Sequence, residues 1–424
     1  MPRIYVESYG CSANTADMEI AKGMLSYEGH SLTLTLEQAD VAIVFTCIVK
    51  TPTERKVIKK IKSIRNKGVP LIVAGCMPKA LTRVVDEIAP NACMIGPDDL
   101  DKIPTTVVDI LQGKRSIHIN GDSYDRGCQP RYRVNPLIHI APIASGCLGN
   151  CTYCIVKHAR GKLHSFPHRE IITGVGEALN EGCREVWVTA EDTAAYNDDG
   201  VRLPDLVQML CEFDDDFRIR VGMMTPNQVY PILEDLLEAY DNEKVFKFLH
   251  LPVQSGNDEI LQRMNRRYTV KEFKDLVSTF RERFPKISIS TDIICGFPGE
   301  TDEQFNDSRN LIQNLRPDVL NISRYWERPG TEAEKMNGKL HGRVTKERSR
   351  RLTTLWKQLA MDVGSRWVGW EGDILLDEYG KGISKVGRNY AYKPVAVVTD
   401  RSIGEYLKVR VTGSGVGFLT GVPT

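Results

Sequence analysis

Three closely spaced cysteines have the arrangement of a metal or cluster site. Cys147, Cys151 and Cys154 form a CxxxCxxC motif, and Gly146 before it and Gly149 within it allow a tight loop. A [4Fe–4S] cluster has four irons that each take a thiolate or an equivalent ligand, so this loop supplies three ligands and leaves one iron open. The alternative is a zinc site completed by a remote ligand such as His158. The motif follows the first strand of a predicted barrel, and an aromatic residue precedes its last cysteine, which favours the cluster.

Three other cysteines are far apart in the sequence, but each comes directly after a predicted strand. These residues are Cys11, Cys47 and Cys76. In a parallel sheet the carboxyl ends of the strands meet at one edge, so the three thiols can converge on one metal centre. The alternative is that all three are buried structural cysteines. The strands are predicted at residues 4–9, 41–46 and 71–74.

Hydrophobic periodicity divides the chain into three structured parts and a linker. Residues 1–112 alternate strands and helices, which predicts a parallel sheet covered by helices. Residues 113–134 are polar and contain three glycines, as a linker does. Residues 135–362 hold six strand candidates, which suit a partial or complete (β/α) barrel. Residues 363–424 have short β-rich runs without helical periodicity and predict a small all-β barrel or sandwich. The six barrel strands are predicted at residues 137–144, 185–189, 218–223, 246–251, 287–293 and 319–324.

The composition sets the cellular context of these motifs. Eleven cysteines in a chain without an apolar leader argue against a disulfide framework and for cluster ligation. No apolar run approaches the roughly 18 residues that span a bilayer, so we expect a cytoplasmic protein with no membrane partner. The five cysteines outside the two trios are interpreted as structural: Cys93, Cys128, Cys183, Cys211 and Cys295.

Charge is balanced overall but clustered locally. The chain has 56 basic and 55 acidic residues, a net charge of +1, so only local clusters can indicate a nucleic-acid partner. Residues 155–169 contain no acidic residue, and residues 339–357 carry seven basic residues and one acidic residue. Either segment could guide phosphates, or could be a solvated helix face. The candidates for RNA contact next to the cysteine motif are Lys157, His158, Arg160 and Lys162.

Taken together, these motifs resemble the radical S-adenosylmethionine (SAM) methylthiotransferases. The resemblance covers nearly the whole chain, and it implies an N-terminal cluster domain, a radical SAM barrel and a C-terminal TRAM domain that binds RNA. The matching phrases are Tyr9-Gly-Cys-Ser, Ala74-Gly-Cys-Met-Pro, Leu251-Pro-Val-Gln-Ser-Gly, Asp292-Ile-Ile-Cys-Gly-Phe-Pro-Gly-Glu-Thr and Arg328-Pro-Gly-Thr-Glu-Ala.

The resemblance also implies two [4Fe–4S] clusters with different roles. SAM would chelate the open iron of the CxxxCxxC cluster, and a low-potential electron would cleave it to a 5′-deoxyadenosyl radical. The second cluster would be held by Cys11, Cys47 and Cys76 and would carry the sulfur to be inserted. The residues implied to contact SAM are Tyr153, Glu191, Asp192, Gln254, Ile294, Gly296, Pro298 and Gly299.

Two phrases are similar to the archaeal and eukaryotic branch of this family, which acts on N6-threonylcarbamoyladenosine next to the anticodon of tRNA. They are Lys157-His-Ala-Arg-Gly and Glu191-Asp-Thr-Ala-Ala-Tyr. The sequence departs from the branch at Ala194-Ala-Tyr-Asn, where Gly-Ala-Tyr-Gly is more common, so the local loop geometry is expected to differ. The implied partners are a tRNA anticodon stem-loop, a flavodoxin- or ferredoxin-like electron donor and a sulfur source.

Two other functions are compatible with the sequence. One is the same enzyme class acting on an aspartate of a ribosomal protein. The other is a non-catalytic iron–sulfur protein that binds RNA or carries electrons. The basic segment after the CxxxCxxC motif favours RNA as the substrate, and the open iron favours an enzyme.

Overall fold

The computed structural model describes residues 1–424. Within it, residues 3–118 form a six-stranded parallel sheet with helices on both faces. The strand order is β2-β1-β3-β4-β5-β6. The central strands β3 and β4 are apolar and completely buried, as parallel strands covered on both faces must be. The strands are β1 (Arg3–Ser8), β2 (Ser31–Thr33), β3 (Val41–Thr46), β4 (Leu71–Gly75), β5 (Cys93–Ile95) and β6 (Ile117–His118). The helices are α1 (Ser12–Tyr27), α2 (Thr51–Asn66), α3 (Cys76–Ala80), α4 (Thr82–Ile88) and α5 (Ile103–Leu111).

The segment predicted as a linker, 113–134, is an integral part of this fold. It contributes β6 to the sheet and then crosses α1 so closely that a Cβ on Gly23 would lie 2.2 Å from the carbonyl oxygen of Pro130. Tyr132 donates its backbone N–H to the carbonyl of Glu19 on the same helix. Its polar, glycine-containing sequence gives no sign of this packing, which combines backbone contacts with the buried side chain of Arg126.

The central part of the chain is an open barrel of six parallel strands. The sheets β7-β10-β13 and β14-β15-β16 are joined by a parallel bridge between Ile219 and Val245. All six predicted strands are present, with ends that differ by a few residues. The main strands are β7 (Ile138–Pro142), β10 (Glu185–Thr189), β13 (Arg218–Val221), β14 (Phe248–His250), β15 (Ser288–Cys295) and β16 (Val319–Arg324), and short strands are β8 (Ala144–Ser145), β9 (His164–Ser165), β11 (Asn197–Asp198) and β12 (Val201–Arg202). The helices are α6 (Val156–Arg160), α7 (His168–Asn180), α8 (Leu203–Cys211), α9 (Pro226–Val229), α10 (Leu233–Asp241), α11 (Asp258–Arg263), α12 (Val270–Arg283), α13 (Asp302–Leu315) and α14 (Gly342–Ser365).

The C-terminal residues close into a small barrel in the order β17-β18-β19-β21-β20. Its core contains Trp367, which is fully buried. Strand β18 is short and largely polar, with the sequence SKVGR, so its place in the barrel depends on pairing with β17 and β19. No helix in the structure is both long enough and apolar enough to cross a membrane. The strands are β17 (Glu371–Tyr379), β18 (Ser384–Arg388), β19 (Pro394–Val398), β20 (Tyr406–Ser414) and β21 (Leu419–Pro423).

Helix α1 joins the N-terminal sheet to the barrel. Ala16 on α1 packs against Ile138 and Ile140 of β7. One turn of the helix also carries Asp17, whose carboxylate accepts hydrogen bonds from Arg126 at 2.8 Å and Arg160 at 2.7 Å. All three charged side chains are at most 5% exposed. Burial raises the pKa of Asp17, but the charges of the two arginines outweigh burial and lower it.

Replacing Asp17 by asparagine should lower the free energy of unfolding by about 3–5 kcal/mol, because two buried guanidinium groups would lose their shared carboxylate. Replacing Asp101 by asparagine is the matched control, since its ion pair with Lys102 is exposed to solvent and should contribute little to the free energy of unfolding. Anaerobic urea denaturation followed by circular dichroism would measure both. Equal losses in the two variants would contradict the role given to Asp17.

Candidate active site

A cavity of about 520 Å³ lies between the carboxyl ends of the barrel strands and the carboxyl edge of the N-terminal sheet. Its wall includes Cys11 from the sheet and the three cysteines of the CxxxCxxC loop. The cavity therefore borders members of both predicted trios. This follows from parallel topology, because every loop that leaves a strand at its carboxyl end emerges on the same side.

The CxxxCxxC loop is shaped to present sulfur atoms to donors. Gly146 has φ +80°, and a Cβ there would lie 2.1 Å from a backbone oxygen of the neighbouring segment. The backbone N–H of Gly149 donates to Cys147 Sγ at 3.2 Å, and Arg266 Nη1 donates to Cys151 Sγ at 3.2 Å. Donors directed at sulfur stabilise the thiolate form, which is the form that binds metal.

The N-terminal cysteines also lie close together. Gly10, with φ +120°, has no room for a Cβ, which would lie 2.9 Å from Cys47 Sγ. Cys76 is buried, and the charges of Cys11 and Cys47 act on its thiol, as does the opposing charge of Arg160. No three His, Cys, Asp or Glu side chains are close enough to share one metal ion. A [4Fe–4S] cluster makes a different demand, because each of its irons takes its own thiolate.

Burial affects the thiols of both trios. It raises the pKa of Cys76 and Cys147 to about 12 and that of Cys154 to about 11. Such thiols keep their protons at neutral pH when no metal is bound, whereas a coordinated thiol is deprotonated. The donor sets therefore fit clusters whose positive irons compensate for the burial of several sulfur anions.

Four of the eight predicted SAM contacts line the cavity: Tyr153, Glu191, Gln254 and Ile294. Glu191 Oε2 accepts the backbone N–H of Gly146 at 3.1 Å. Burial raises the pKa of Glu191, although the charge of Arg160 opposes it. Gln254 is held at φ +71°, a left-handed conformation that is rare for this residue type. The hydrogen bond from Gly146 holds the side chain of Glu191 against the loop that carries Cys147.

The other four predicted SAM contacts are not in the cavity wall. Asp192 is 3% exposed, and its Oδ1 accepts the backbone N–H of Thr225 at 2.9 Å. The N–H of Gly296 donates to a buried carboxylate at 2.7 Å, and that of Gly299 donates to a backbone carbonyl at 2.7 Å. Pro298 accepts from a guanidinium group of α11. The Asp192 carboxylate and the backbone groups of the other three residues therefore already have partners within the protein. The structure does not bring these four residues into the cavity wall.

The predicted RNA contacts also divide into two groups. Lys157, His158 and Lys162 are exposed, and Lys157 lines the cavity. The prediction for Arg160 is wrong, because its side chain is 5% exposed and is paired with the carboxylates of Asp17 and Glu191. In the basic segment of α14, Arg348 is likewise buried and ion-paired. Both arginines stabilise the fold instead of facing solvent.

Sequence reasoning missed several polar groups of the cavity wall, and three of them bear directly on a bound cofactor. Arg266 donates to Cys151 from the segment between α11 and α12, which belongs to the connection that leaves the carboxyl end of β14. Asp292 Oδ1 and the Tyr325 hydroxyl are buried in the wall without a hydrogen-bond partner. Buried polar atoms of this kind normally have partners, so these two fit a bound molecule with its own polar groups, as SAM has.

Comparisons with known proteins agree with this site. The radical SAM superfamily matches residues 142–312, and the uncharacterized protein family UPF0004 matches residues 3–96. A probable threonylcarbamoyladenosine tRNA methylthiotransferase of Pyrococcus horikoshii is 39% identical over 427 residues, which cover 99% of each chain. The threonylcarbamoyladenosine tRNA methylthiotransferase of Xenopus laevis is 35% identical, over 99% of this chain and 77% of that protein. The chain belongs to the threonylcarbamoyladenosine tRNA methylthiotransferase family.

A solved structure supports the fold of this methylthiotransferase. The radical SAM methyltransferase TsrM from Kitasatospora setae has a TM-score of 0.58 at 14% identity, and the match covers 78% of this chain and 75% of that one. Membership of the radical SAM superfamily brings an iron–sulfur cluster and SAM as cofactors. In the methylthiotransferase cavity, the CxxxCxxC loop has the donor set for that cluster, and Glu191, Asp292 and Tyr325 face the space beside it.

Replacing Arg266 by glutamine should slow SAM cleavage by about 10- to 100-fold, because the Sγ of Cys151 would lose its charged donor. Replacing Arg267 by glutamine is the matched control, since that neighbouring side chain is exposed and outside the cavity wall. The rate of 5′-deoxyadenosine formation and the electron paramagnetic resonance spectrum of the reduced cluster would be measured after anaerobic reconstitution. Indistinguishable rates and spectra in the two variants would refute the role of Arg266.

Proposed function

We propose that this enzyme inserts a methylthio group at C2 of N6-threonylcarbamoyladenosine next to the anticodon of tRNA, and that it uses two [4Fe–4S] clusters and SAM. The observation that carries the proposal is the shared cavity, which is bordered by Cys11 and by the CxxxCxxC cysteines. Two sulfur sites on one cavity allow one cluster to serve radical formation and the other to serve sulfur transfer at a single base. Two relatives that match nearly the whole of this chain are a probable and a named threonylcarbamoyladenosine tRNA methylthiotransferase, which agrees with this substrate.

The target bond explains why two clusters are needed. The C2–H of adenine has no useful acidity, so a side chain acting as a general base cannot remove its hydrogen. SAM held beside the CxxxCxxC cluster would supply a radical for that step, and a second SAM molecule would supply the methyl group of the product. Cys147, Cys151 and Cys154 would hold the first cluster. Cys11, Cys47 and Cys76 would hold the second, from which the sulfur is transferred.

The chain's own residues would hold the cofactor and exclude water. Glu191 and Asp292 are carboxylates suited to the ammonium or ribose groups of SAM. Arg266 holds the sulfur of Cys151 and contributes a positive charge to the same wall. Tyr153 packs edge-on against Phe297, which gives the cavity an aromatic side. Shielding by these walls protects a radical from side reactions.

The charge of the cavity wall suits an anionic substrate. Six arginines and lysines line it, against two carboxylates, although the whole chain has a net charge of only +1. Lys50 comes from the N-terminal sheet, Lys157 from α6 and Arg324 from the end of β16. The guanidinium of Arg324 stacks on Trp326 at 4.4 Å, a pair that can pack against a base. Phosphates and the threonyl carboxylate are the anions that this wall would attract.

Separate roles for the three domains are part of this proposal. We assign residues 1–112 to the sulfur-transfer domain, 135–362 to the radical domain and 363–424 to a TRAM domain that binds RNA. Tyr379, Tyr390 and Phe418 are the exposed aromatic residues of the C-terminal barrel and are the candidates to stack on a base, whereas Trp367 is buried in the core. A flavodoxin- or ferredoxin-like protein would supply electrons, and a separate sulfur source would restore the second cluster in the cytoplasm.

Two triple variants should separate the roles of the clusters. With Cys147, Cys151 and Cys154 replaced by alanine, SAM cleavage should be abolished. With Cys11, Cys47 and Cys76 replaced, SAM cleavage should continue and sulfur insertion should stop. Each variant should hold about four irons per chain, against about eight in the wild type. Full sulfur transfer by the second variant would remove the N-terminal cysteines from the mechanism.

The reaction itself can be tested directly. The reconstituted enzyme would be incubated anaerobically with SAM, dithionite and a tRNA that carries N6-threonylcarbamoyladenosine, and the digested nucleosides would be analysed by mass spectrometry. We expect the 2-methylthio nucleoside from this tRNA and none from the same transcript with unmodified adenosine. A methylthiolated ribosomal-protein aspartate with unchanged tRNA nucleosides would refute the proposal.

A further inference from the structure

Helix α2 has a strongly cationic outer face. The helix contains six basic residues and one acidic residue. Its inner face is apolar and buried through Val57, Ile61 and Ile64. Its outer face lines a shallow groove whose residues are Arg55, Ile58, Lys59, Lys62, Ser63, Asn66 and Lys67.

Most of these cations have no internal partner. Lys60 pairs with Glu7, and Lys67 pairs with Glu37. The one acidic residue of the helix, Glu54, pairs with Arg328 across the domain boundary. The exposed side chains of Arg55, Lys56, Lys59 and Lys62 make neither an ion pair nor a side-chain hydrogen bond.

The sequence spacing places these charges in one row. Arg55, Lys59 and Lys62 are separated by four and three residues, so they lie on one side of the helix about one turn apart. Like charges at this spacing repel one another and destabilise an isolated helix. A solvated helix face usually mixes both signs of charge, so a row of cations alone is best explained by an anionic partner.

The row starts at the mouth of the cavity. Val49 and Lys50, which immediately precede α2, both line the cavity. Arg328, which also lines it, is held by Thr51 and Glu54 in the first turn of the helix. From Lys50 the helix runs away from the cavity for about 24 Å, at 1.5 Å per residue. A base inserted into the cavity would therefore leave its flanking phosphates at the N-terminal end of this row.

We propose that the outer face of α2 binds the phosphate backbone of the tRNA next to the target nucleotide, with Arg55, Lys59 and Lys62 as the principal contacts. This inference rests on the proposed tRNA substrate and adds a docking surface on the N-terminal domain. Each cation that neutralises a phosphate releases counterions, so binding through this face depends strongly on salt and little on base sequence.

A triple variant of α2 tests the inference, with an equal change of charge on α14 as its control. The α2 variant is R55E/K59E/K62E, and the control is R343E/K346E/K357E. All six side chains are exposed, no residue of α14 lines the cavity, and glutamate is a good helix former. Binding to a fluorescein-labelled tRNA bearing N6-threonylcarbamoyladenosine would be measured by anisotropy from about 50 to 200 mM salt.

We expect the α2 variant to bind tRNA at least about tenfold more weakly than the wild type, with a salt slope that is smaller by about 2–3. The control should bind within about twofold of the wild type. SAM cleavage without tRNA and the circular dichroism spectrum should be unchanged in both variants. Wild-type affinity in the α2 variant, or an equal loss in both variants, would overturn the inference.

The same experiment separates this inference from the proposed function. Wild-type enzyme that methylthiolates the tRNA while the α2 variant binds normally would overturn only the docking surface. Wild-type enzyme that neither binds nor modifies the tRNA would overturn both.

Discussion

The geometry of the site depends on one buried carboxylate. Asp17 lies on α1, between the N-terminal sheet and the barrel, and it binds Arg126 and Arg160 where all three charges are excluded from water. Removing charges from water is costly, so the arrangement is stable only when every partner is in place. Arg160 also pairs with Glu191 in the cavity wall, which ties the ion network to the site. The relative position of the two cysteine trios follows from this network.

The same buried charges set the electrostatics of the cavity. Arg160 lies near Cys76 and Cys11 and opposes the effect of burial on the thiol of Cys76. Arg266 has a comparable role on the other side, where it donates to Cys151. Each sulfur site thus has a nearby guanidinium that cannot lose its proton, which favours sulfur anions and the binding of iron. Arginine is suited to this role because it forms several directed hydrogen bonds at once.

Much of the fold and the composition of the cysteine sites could be predicted from the sequence. The six barrel strands were predicted from apolar periodicity, and Cys11, Cys47 and Cys76 were grouped because each follows a strand of a parallel sheet. Local patterns fail for residues 113–134, whose packing depends on backbone contacts with α1 and on the buried ion pair between Arg126 and Asp17. They also fail for Arg160, which has the sequence signature of a surface cation. Its burial depends on Asp17, 143 residues earlier in the chain, and no local pattern carries that information.

The sequence by itself determined the chemistry that is available: two sets of three thiols, an open barrel and a family of enzymes. Residue type and strand order are local properties, and parallel topology sends all the relevant loops to one edge. Only the tertiary structure decided which charges face solvent and which are buried. It left Arg55 free on the outer face of α2 and buried Arg126 and Arg348, although all three look alike in the sequence. The physical reason is that a charge is buried only where a distant carboxylate compensates for its lost hydration, and the pairing of distant residues is a property of the folded chain.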